Sequence, residues 1–156
     1  GHLVLSTLHT NDAPSTVTRL INMGVEPFLI VSSLNLVLAQ RLARKLCPNC
    51  QEPEDIPVQA LIQSGMGKEV AAEAVCYTGR GCDDCNNTGY KGRIALYEVM
   101  PMTDVLKTAV INGANTIELK EMAIKNGMKT LRQSGLSKVL ESVTSFREVL
   151  RVTAKD

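Results

Sequence analysis

Four of the five cysteines stand in two closely spaced pairs, and this spacing restricts the fold more than any other feature of the sequence. The string "CPNC" supplies Cys47 and Cys50, and "CDDC" supplies Cys82 and Cys85. Two intervening residues allow a tight turn to point both sulfurs at one ion, and two such turns complete a tetrahedral set of four thiolates. The spacing predicts a zinc site with no open coordination position, so the metal is expected to be structural rather than catalytic.

Other kinds of cysteine chemistry fit this pattern less well. Reduced thiols, or a redox-active pair of the thioredoxin kind, predict a single motif at a helix start rather than two motifs. The remaining cysteine, Cys76, has no partner at ligand spacing and is expected to be a small buried apolar residue. The pairs bracket an insertion, about residues 47–92, which we expect to have little apolar content and to be held together by the metal.

The composition restricts the class of protein without selecting a partner. At 156 residues and 44% hydrophobic residues, the chain can build one domain, or one domain with a small appendage. The formal net charge of +1 gives no electrostatic argument for a nucleic-acid or lipid partner. No apolar stretch reaches the roughly 18 residues that span a bilayer, and no signal peptide opens the sequence. These features predict a soluble intracellular chain, where disulfides are disfavoured.

Hydrophobic periodicity indicates an α/β fold. The apolar run 3–8 predicts a strand covered on both faces, as in a parallel sheet, with neighbouring strands expected upstream. One helix is predicted to begin at a cap supplied by Asn11 or Asp12 and to end at Gly24, and a second is predicted from Pro27 to Leu38. Two later segments, "QRLARKLC" and "GRIALYEVM", alternate in the manner of strands and predict an antiparallel pair with the cysteine-rich insertion at its tip.

The remainder of the sequence is predicted to be helical. Helices are expected over about 103–112, from a capping box at Asn115 to Gly127, over about 130–141 with a split or a kink near Gly135, and from a second capping box at Ser145. Apolar residues at steps of three and four predict one buried face per helix. The predicted core residues are Leu131, Leu136, Val139, Leu140, Val149 and Leu150.

The end of the first predicted strand carries the polar residues Ser6, Thr7 and His9. Ligands of parallel α/β sheets bind beyond the carboxyl ends of the strands, where hydroxyl and imidazole groups can hydrogen-bond a terminal phosphate or an attacking water. Spacing alone, however, favours a histidine that is merely satisfied by the backbone at a strand end.

A resemblance to a known family instead favours a functional role for His9. The stretch "GHLVLSTLHTNDA" resembles the histidine box of the secretion ATPases that power type IV pilus assembly and type II secretion, the PilB/GspE class. The likeness continues in order through "LAQRLARKLCPNC", "GCDDCNNTGYKGRIALYEVMP" and "GMKTLRQSGLSKVLESVTSFREVLRVT". It implies the C-terminal portion of a RecA-like nucleotide-binding core over residues 1–101, interrupted by the tetracysteine zinc insertion, followed by a C-terminal helical bundle over 102–156.

The same resemblance implies a function. The full-length protein would be a cytoplasmic homo-hexamer, peripherally associated with the inner membrane through a platform protein, that uses ATP and Mg²⁺ to drive pilus assembly or type II secretion. His9 and Thr7 would take the sensing or catalytic role at the terminal phosphate, and Ser6 and His2 would contact the nucleotide. The sequence does not separate pilus assembly from type II secretion or DNA uptake.

One expected motif is missing from the sequence. The nearest string to a phosphate-binding loop is "SGMGKEV", which fails because Glu69 follows Lys68 and because Ile62 stands where glycine is required. We therefore expect the loop and the acidic Mg²⁺ ligands upstream of Gly1, and we expect the chain alone to be inactive.

The alternative interpretation is a stand-alone zinc-knuckle module that binds a protein or a nucleic acid. The string "CDDCNNTGYKG" is loosely similar to the knuckles of a heat-shock chaperone family, and Lys91 and Arg93 are available to face a partner. Such modules normally repeat the knuckle and interleave basic and aromatic residues, which this sequence does not do.

Overall fold

The structure is a computed structural model that describes residues 2–153, and within that range it contains eight α-helices and four β-strands. In chain order the elements are α1 (Ala13–Asn22), α2 (Pro27–Ser33), β1 (Leu36–Leu46), β2 (Gln51–Glu54), α3 (Val58–Gln63), α4 (Lys68–Glu73), β3 (Cys76–Gly79), β4 (Tyr90–Pro101), α5 (Asp104–Ile111), α6 (Thr116–Lys125), α7 (Leu131–Leu140) and α8 (Phe146–Val152). The mixed α/β class predicted from periodicity is confirmed.

The chain folds as two compact units. The first unit comprises the residues up to 39 together with 98–129, and the second comprises 40–97 together with the residues from 130 onward. Strands β1 and β4 pair as one two-stranded sheet, and β2 pairs antiparallel with β3 in another, with Gln51 opposite Gly79. Helices α5 and α6 fall in the first unit and α7 and α8 in the second, so these contacts do not by themselves define one C-terminal bundle. The boundary at residue 101 stays a prediction.

The first unit is built around α1, which begins as the sequence predicts. The Asp12 carboxylate caps the helix by accepting the Ser15 N–H at 3.0 Å, and Pro14 lies in the first turn. The buried carboxylate of Glu98 accepts the N–H of Ala13 at 2.7 Å. A negative charge is favourable there because helix N-termini carry a partial positive charge. Helix α1 packs on α6, and α2 packs on α5.

The core of the second unit corrects one expectation about the insertion. Four of its residues are buried with four from α7 and α8, namely Leu61, Met66, Ala71 and Cys76 with Leu136, Val139, Phe146 and Val149. The short helices α3 and α4, which the sequence analysis did not predict, supply part of this core. The insertion therefore does contribute apolar surface to the fold. The burial predicted for Cys76 is confirmed, because its side chain is 3% exposed.

The predicted N-terminal strand is wrong for this chain. Residues 2–10 form no strand, and Leu3, Val4 and Leu5 are exposed. A parallel strand needs neighbours for its hydrogen bonds and for its apolar faces, and no strand among residues 2–153 pairs with this segment.

Two helix predictions also need correction. Helix α2 ends at Ser33 because Leu34 is extended (φ −82°, ψ 118°), so Val37 and Leu38 lie in β1. A short apolar run fits either structure by periodicity alone. Helix α7 runs without a break through Gly135, where a Cβ would lie 2.6 Å from Cγ1 of Val149.

The predicted buried faces are too wide in the last two helices. Leu140 and Leu150 are both 41% exposed, whereas Leu131, Leu136, Val139 and Val149 are buried as predicted. In each helix the residue one position earlier, Val139 or Val149, already faces the core. The neighbouring leucine is rotated away from the core because successive helical residues point about 100° apart.

Two capping predictions had different outcomes. The box at Asn115 and Glu118 is confirmed, with Asn115 accepting the N–H of Glu118 and Glu118 accepting that of Asn115. Ser145 accepts the N–H of Glu148, but the Glu148 carboxylate points to two arginines instead of completing the box.

A search of the helices between residues 2 and 153 finds none with both the length and the apolar character needed to cross a membrane.

Candidate metal centre

The four paired cysteines converge in the second unit. Their Sγ atoms all lie within 4.8 Å of one another, and Sγ of Cys82 lies 3.8 Å from Sγ of both Cys47 and Cys85. Cys50 and Cys85 are separated by the same distance, 3.8 Å. A tetrahedral zinc with Zn–S bonds of about 2.3 Å separates its sulfurs by about 3.8 Å. The sulfur positions therefore fit a tetrathiolate zinc ion.

Each cysteine pair lies on a tight turn. The Cys50 N–H donates to the carbonyl of Cys47 at 3.3 Å, just beyond the end of β1. The second pair brackets a single turn of 3-10 helix, Asp83–Cys85, which is followed by Asn86 and Asn87 at φ 52° and 57°. Asparagine tolerates this left-handed backbone better than most residues, so the "NN" after the second pair supports the turn.

Backbone N–H groups surround the sulfurs. Gly81 donates to Sγ of Cys50 at 3.3 Å, while Cys82 and Gly89 donate to Sγ of Cys85 at 3.2 and 3.3 Å. Burial opposes ionisation of Cys85, but hydrogen bonds from the N–H groups of Cys82 and Gly89, together with those from the Cys82 and Cys50 thiols, lower the pKa of its thiol to about 6. For Cys50 burial prevails and raises the pKa to about 12. Because a metal binds thiolates, zinc binding to this set is expected to release protons.

Two glycines allow two backbone segments to pass in close contact beside the cysteine centre. Gly79, at the end of β3, lies against Gly89 so closely that a Cβ on either residue would overlap the backbone of the other. Gly89 also accepts the Cys47 N–H at 3.0 Å while it donates to Cys85. The crossing therefore links both cysteine pairs through one residue.

The second unit also contains a buried carboxylate, that of Glu148. The Glu148 side chain is fully buried and accepts hydrogen bonds from the guanidinium groups of Arg44, at 2.7 and 3.1 Å, and of Arg151, at 2.6 and 2.8 Å. It also accepts the backbone N–H of Arg44 at 2.9 Å. Burial alone would raise the pKa of Glu148, but the hydrogen bonds from Arg151 and Arg44 lower it from 4.5 to about 2.

This lowered pKa predicts a specific loss of stability in acid. The ionised Glu148 stabilises the fold fully above its ordinary pKa of 4.5, and the contribution is lost as the pH falls through about 2. The difference in unfolding free energy between the wild type and Glu148→Gln, measured by urea denaturation, is therefore expected to shrink between pH 5 and pH 2.

The control for this experiment is Glu141→Gln, which removes an exposed carboxylate paired with Lys138. Its difference from the wild type is expected to stay below about 1 kcal/mol at every pH. A Glu148→Gln difference that does not change with pH would contradict the assignment.

The residues predicted to contact nucleotide lie in the other unit. His2, Ser6, Thr7 and His9 are all exposed in the irregular segment that precedes α1. The end of this segment is tied to the helix by a hydrogen bond of 2.9 Å between the hydroxyls of Thr10 and Thr16. The structure thus places imidazole and hydroxyl groups on one short exposed segment, and their roles stay predictions.

Sequence reasoning missed the contacts among Glu148, Arg44 and Tyr90. Glu148 was assigned only to a helix cap, Arg44 was assigned only to a strand, and Tyr90 was placed in the insertion without a role. The glycines near the second cysteine pair were a usable signal, since a glycine in a strand often marks a close backbone approach.

Comparisons with known proteins match the sequence to one family over almost its whole length. A family model described as "Type II/IV secretion system protein" matches residues 1–151. The type IV pilus assembly ATPase PilB of Myxococcus xanthus is 57% identical over 100% of this chain and 28% of the relative. PilB of Pseudomonas aeruginosa is 46% identical over 98% of this chain and 27% of the relative. The type II secretion system protein E of Aeromonas hydrophila is 42% identical over 100% of this chain and 30% of the relative.

These relatives are much longer than the sequence described. The chain spans less than a third of the length of each of the three. Within that part the likeness is continuous, because the family match covers nearly every residue. The chain therefore belongs to the type II/IV secretion system protein family.

Proposed function

We propose that this chain is part of an ATPase that drives type IV pilus assembly or type II secretion. The observation that carries the proposal is the 57% identity, across the whole chain, to a protein named as a type IV pilus assembly ATPase. The proposed machine is a cytoplasmic homo-hexamer on an inner-membrane platform protein.

In this proposal the segment before α1 acts at the nucleotide. His9 and Thr7 contact the terminal phosphate of ATP or the attacking water, and Ser6 and His2 contact the nucleotide nearby. The exposure of all four side chains supports this role, since none of them is committed to a core. The buried contact between Glu98 and Ala13 fixes the start of the helix that follows them. Movement of this segment on hydrolysis would therefore act directly on α1.

The remaining parts of the nucleotide site are proposed to lie elsewhere in a longer protein. The sequence holds no Gly-rich loop ending in Gly-Lys-Ser/Thr, and such a loop makes most phosphate contacts in this class of ATPase. We therefore expect neither tight ATP binding nor hydrolysis from the chain alone. With the loop and Mg²⁺ supplied, the chain would complete a RecA-like nucleotide site.

The metal centre has a structural role in the proposal. Cys47, Cys50, Cys82 and Cys85 would hold Zn²⁺ as four thiolates, which leaves no coordination position for a substrate. The ion would contribute folding free energy to the second unit.

The test is His9→Ala in a longer protein that contains this chain and the phosphate loop. Turnover is expected to fall strongly, whereas nucleotide affinity changes less, because the contact is made mainly in the transition state. Steady-state ATPase assays and nucleotide titrations measure the two effects.

Lys125→Ala is the matched control, because this exposed side chain lies in the last turn of α6. Wild-type turnover in His9→Ala, or robust hydrolysis by the 156-residue chain alone, would contradict the proposed role of His9.

A further inference from the structure

Two strand ends adjoin the cysteine centre. The first pair follows the end of β1, and Gly89, which contacts Cys47 and Cys85, directly precedes β4. Whatever fixes the end of β1 and the start of β4 therefore fixes the distance between the two cysteine pairs.

The connection between α7 and α8 holds both strand ends. Val143 accepts the N–H of Leu46 at 2.9 Å, one residue before the first cysteine. The Thr144 hydroxyl donates to the carbonyl of Arg44 at 2.8 Å. On the other strand the Tyr90 hydroxyl lies 2.6 Å from that of Ser145. Three successive residues of one loop thus contact the end of β1 and the start of β4.

Glu148 extends this contact from α8. Its carboxylate binds the side chain and the backbone N–H of Arg44, which removes the freedom of β1 to shift or rotate there. The guanidinium of Arg44 in turn lies 4.1 Å from the centroid of the Tyr90 ring, a cation–π contact. One buried carboxylate therefore orients both strands through a single arginine.

The contacts among Glu148, Arg44 and Tyr90 depend on one another, because removing one charged group weakens the contacts of the others. Removing one partner of a buried ion pair leaves an uncompensated charge, so the arginine would leave its place rather than stay unpaired. The Arg44 side chain is 43% exposed and has solvent available to it. Loss of the carboxylate would thus release Arg44 from Tyr90 and loosen both strand ends.

We propose that Glu148 is a positioning residue for the metal centre, acting through Arg44 on β1 and Tyr90 on β4. The inference rests on the proposed metal centre and adds that a residue of α8, 104 positions from Arg44 along the chain, contributes to its affinity. Groups that hydrogen-bond directly to a metal ligand commonly change metal affinity by about 10- to 100-fold when they are removed. Glu148 acts through Arg44 instead, so its effect is expected at the lower end of that range. Because coupling is reciprocal, metal binding also stabilises the docking of α8.

The experiment measures Zn²⁺ affinity of the whole chain by competition with a chromophoric chelator. Glu148→Gln is expected to bind Zn²⁺ about 10-fold more weakly than the wild type. Tyr90→Phe keeps the ring under Arg44 but removes the hydrogen bond to Ser145, so a smaller loss is expected. Co²⁺ substitution provides a spectroscopic readout, because the absorption bands of a tetrathiolate site report its geometry.

The matched control for general loss of stability is Leu136→Ala, in the core of the same unit. It is expected to unfold more easily yet to bind Zn²⁺ as the wild type does in buffer without denaturant. Amide exchange supplies the reciprocal test, since removing the metal is expected to speed exchange in α8 of the wild type and to have less effect in Glu148→Gln.

The outcomes separate the inference from the metal centre itself. Unchanged Zn²⁺ affinity in Glu148→Gln, or an equal loss in Leu136→Ala at matched stability, would overturn the positioning role while leaving the centre intact. A wild-type chain that binds no Zn²⁺ would overturn both.

Discussion

Replacing Gly79 with Ala is expected to disrupt the metal centre without touching a cysteine. The added Cβ would overlap the backbone of Gly89, which is held by hydrogen bonds to Cys47 and Cys85. Overpacking against side chains costs about 1–3 kcal/mol. The cost here is expected to reach about 3 kcal/mol or more, because a backbone segment cannot rotate away as a side chain can. Urea denaturation and zinc content measured on the same preparation test this result.

The control is a glycine with space around it. A Cβ on Gly67, the N-cap of α4, would meet only Cγ2 of Val70 at 4.0 Å, and its φ of −61° suits any residue. Gly67→Ala is expected to change the free energy of unfolding by less than about 1 kcal/mol and to leave the zinc content unchanged. Equal stability of Gly79→Ala and Gly67→Ala would show that the backbone crossing is not as tight as described.

The double variant Cys82→Ser, Cys85→Ser is expected to lose bound zinc completely. It removes two of four thiolates, and the hydroxyl groups that replace them are poor zinc ligands. Binding free energy at a structural zinc site is folding free energy, with apparent values of about 10–16 kcal/mol in small zinc domains. The apolar core of the second unit is expected to retain part of its structure. Native mass spectrometry and amide exchange over β2, β3 and the cysteine turns measure the two effects.

Cys76→Ala is the matched control for loss of a buried thiol. Cys76 is buried with Leu61 and Leu136 and is not among the four clustered cysteines. The variant is expected to keep one zinc per chain and to lose about 1–2 kcal/mol of stability through the small cavity. Zinc retained in the double variant, or lost in Cys76→Ala, would contradict the ligand set.

The cysteine cluster was predictable from the sequence because its information is local. Two residues between paired cysteines dictate a turn, and two turns dictate a four-sulfur set, whatever the fold around them. Helix starts were predictable for the same reason. Asp12 and Asn115 bond to residues only two or three positions away, so their caps follow from short strings.

The contacts that support the cluster were not predictable in this way. Arg44 and Glu148 are separated by 104 positions, and an arginine in a strand or a glutamate in a first helical turn is ordinary in isolation. Local reasoning even assigned Glu148 to a capping box, because nothing nearby reveals that two arginines compete for its carboxylate.

The strand predicted over 3–8 shows a different limit of sequence patterns. Apolar runs report the burial that a segment would need, not whether the partners that bury it are present. In this chain Leu3, Val4 and Leu5 stay exposed, although their pattern is typical of a central strand.

X-ray absorption at the zinc edge on the purified chain tests the central claim most directly, because it reports the atoms bound to the ion. Four sulfur ligands at about 2.3 Å are expected, with no nitrogen or oxygen ligand, because the 3.8 Å spacing of neighbouring cysteine sulfurs fits a tetrathiolate zinc ion. A coordination shell that contains nitrogen or oxygen ligands, or a chain without zinc after expression in zinc-supplemented medium, would contradict the tetrathiolate centre.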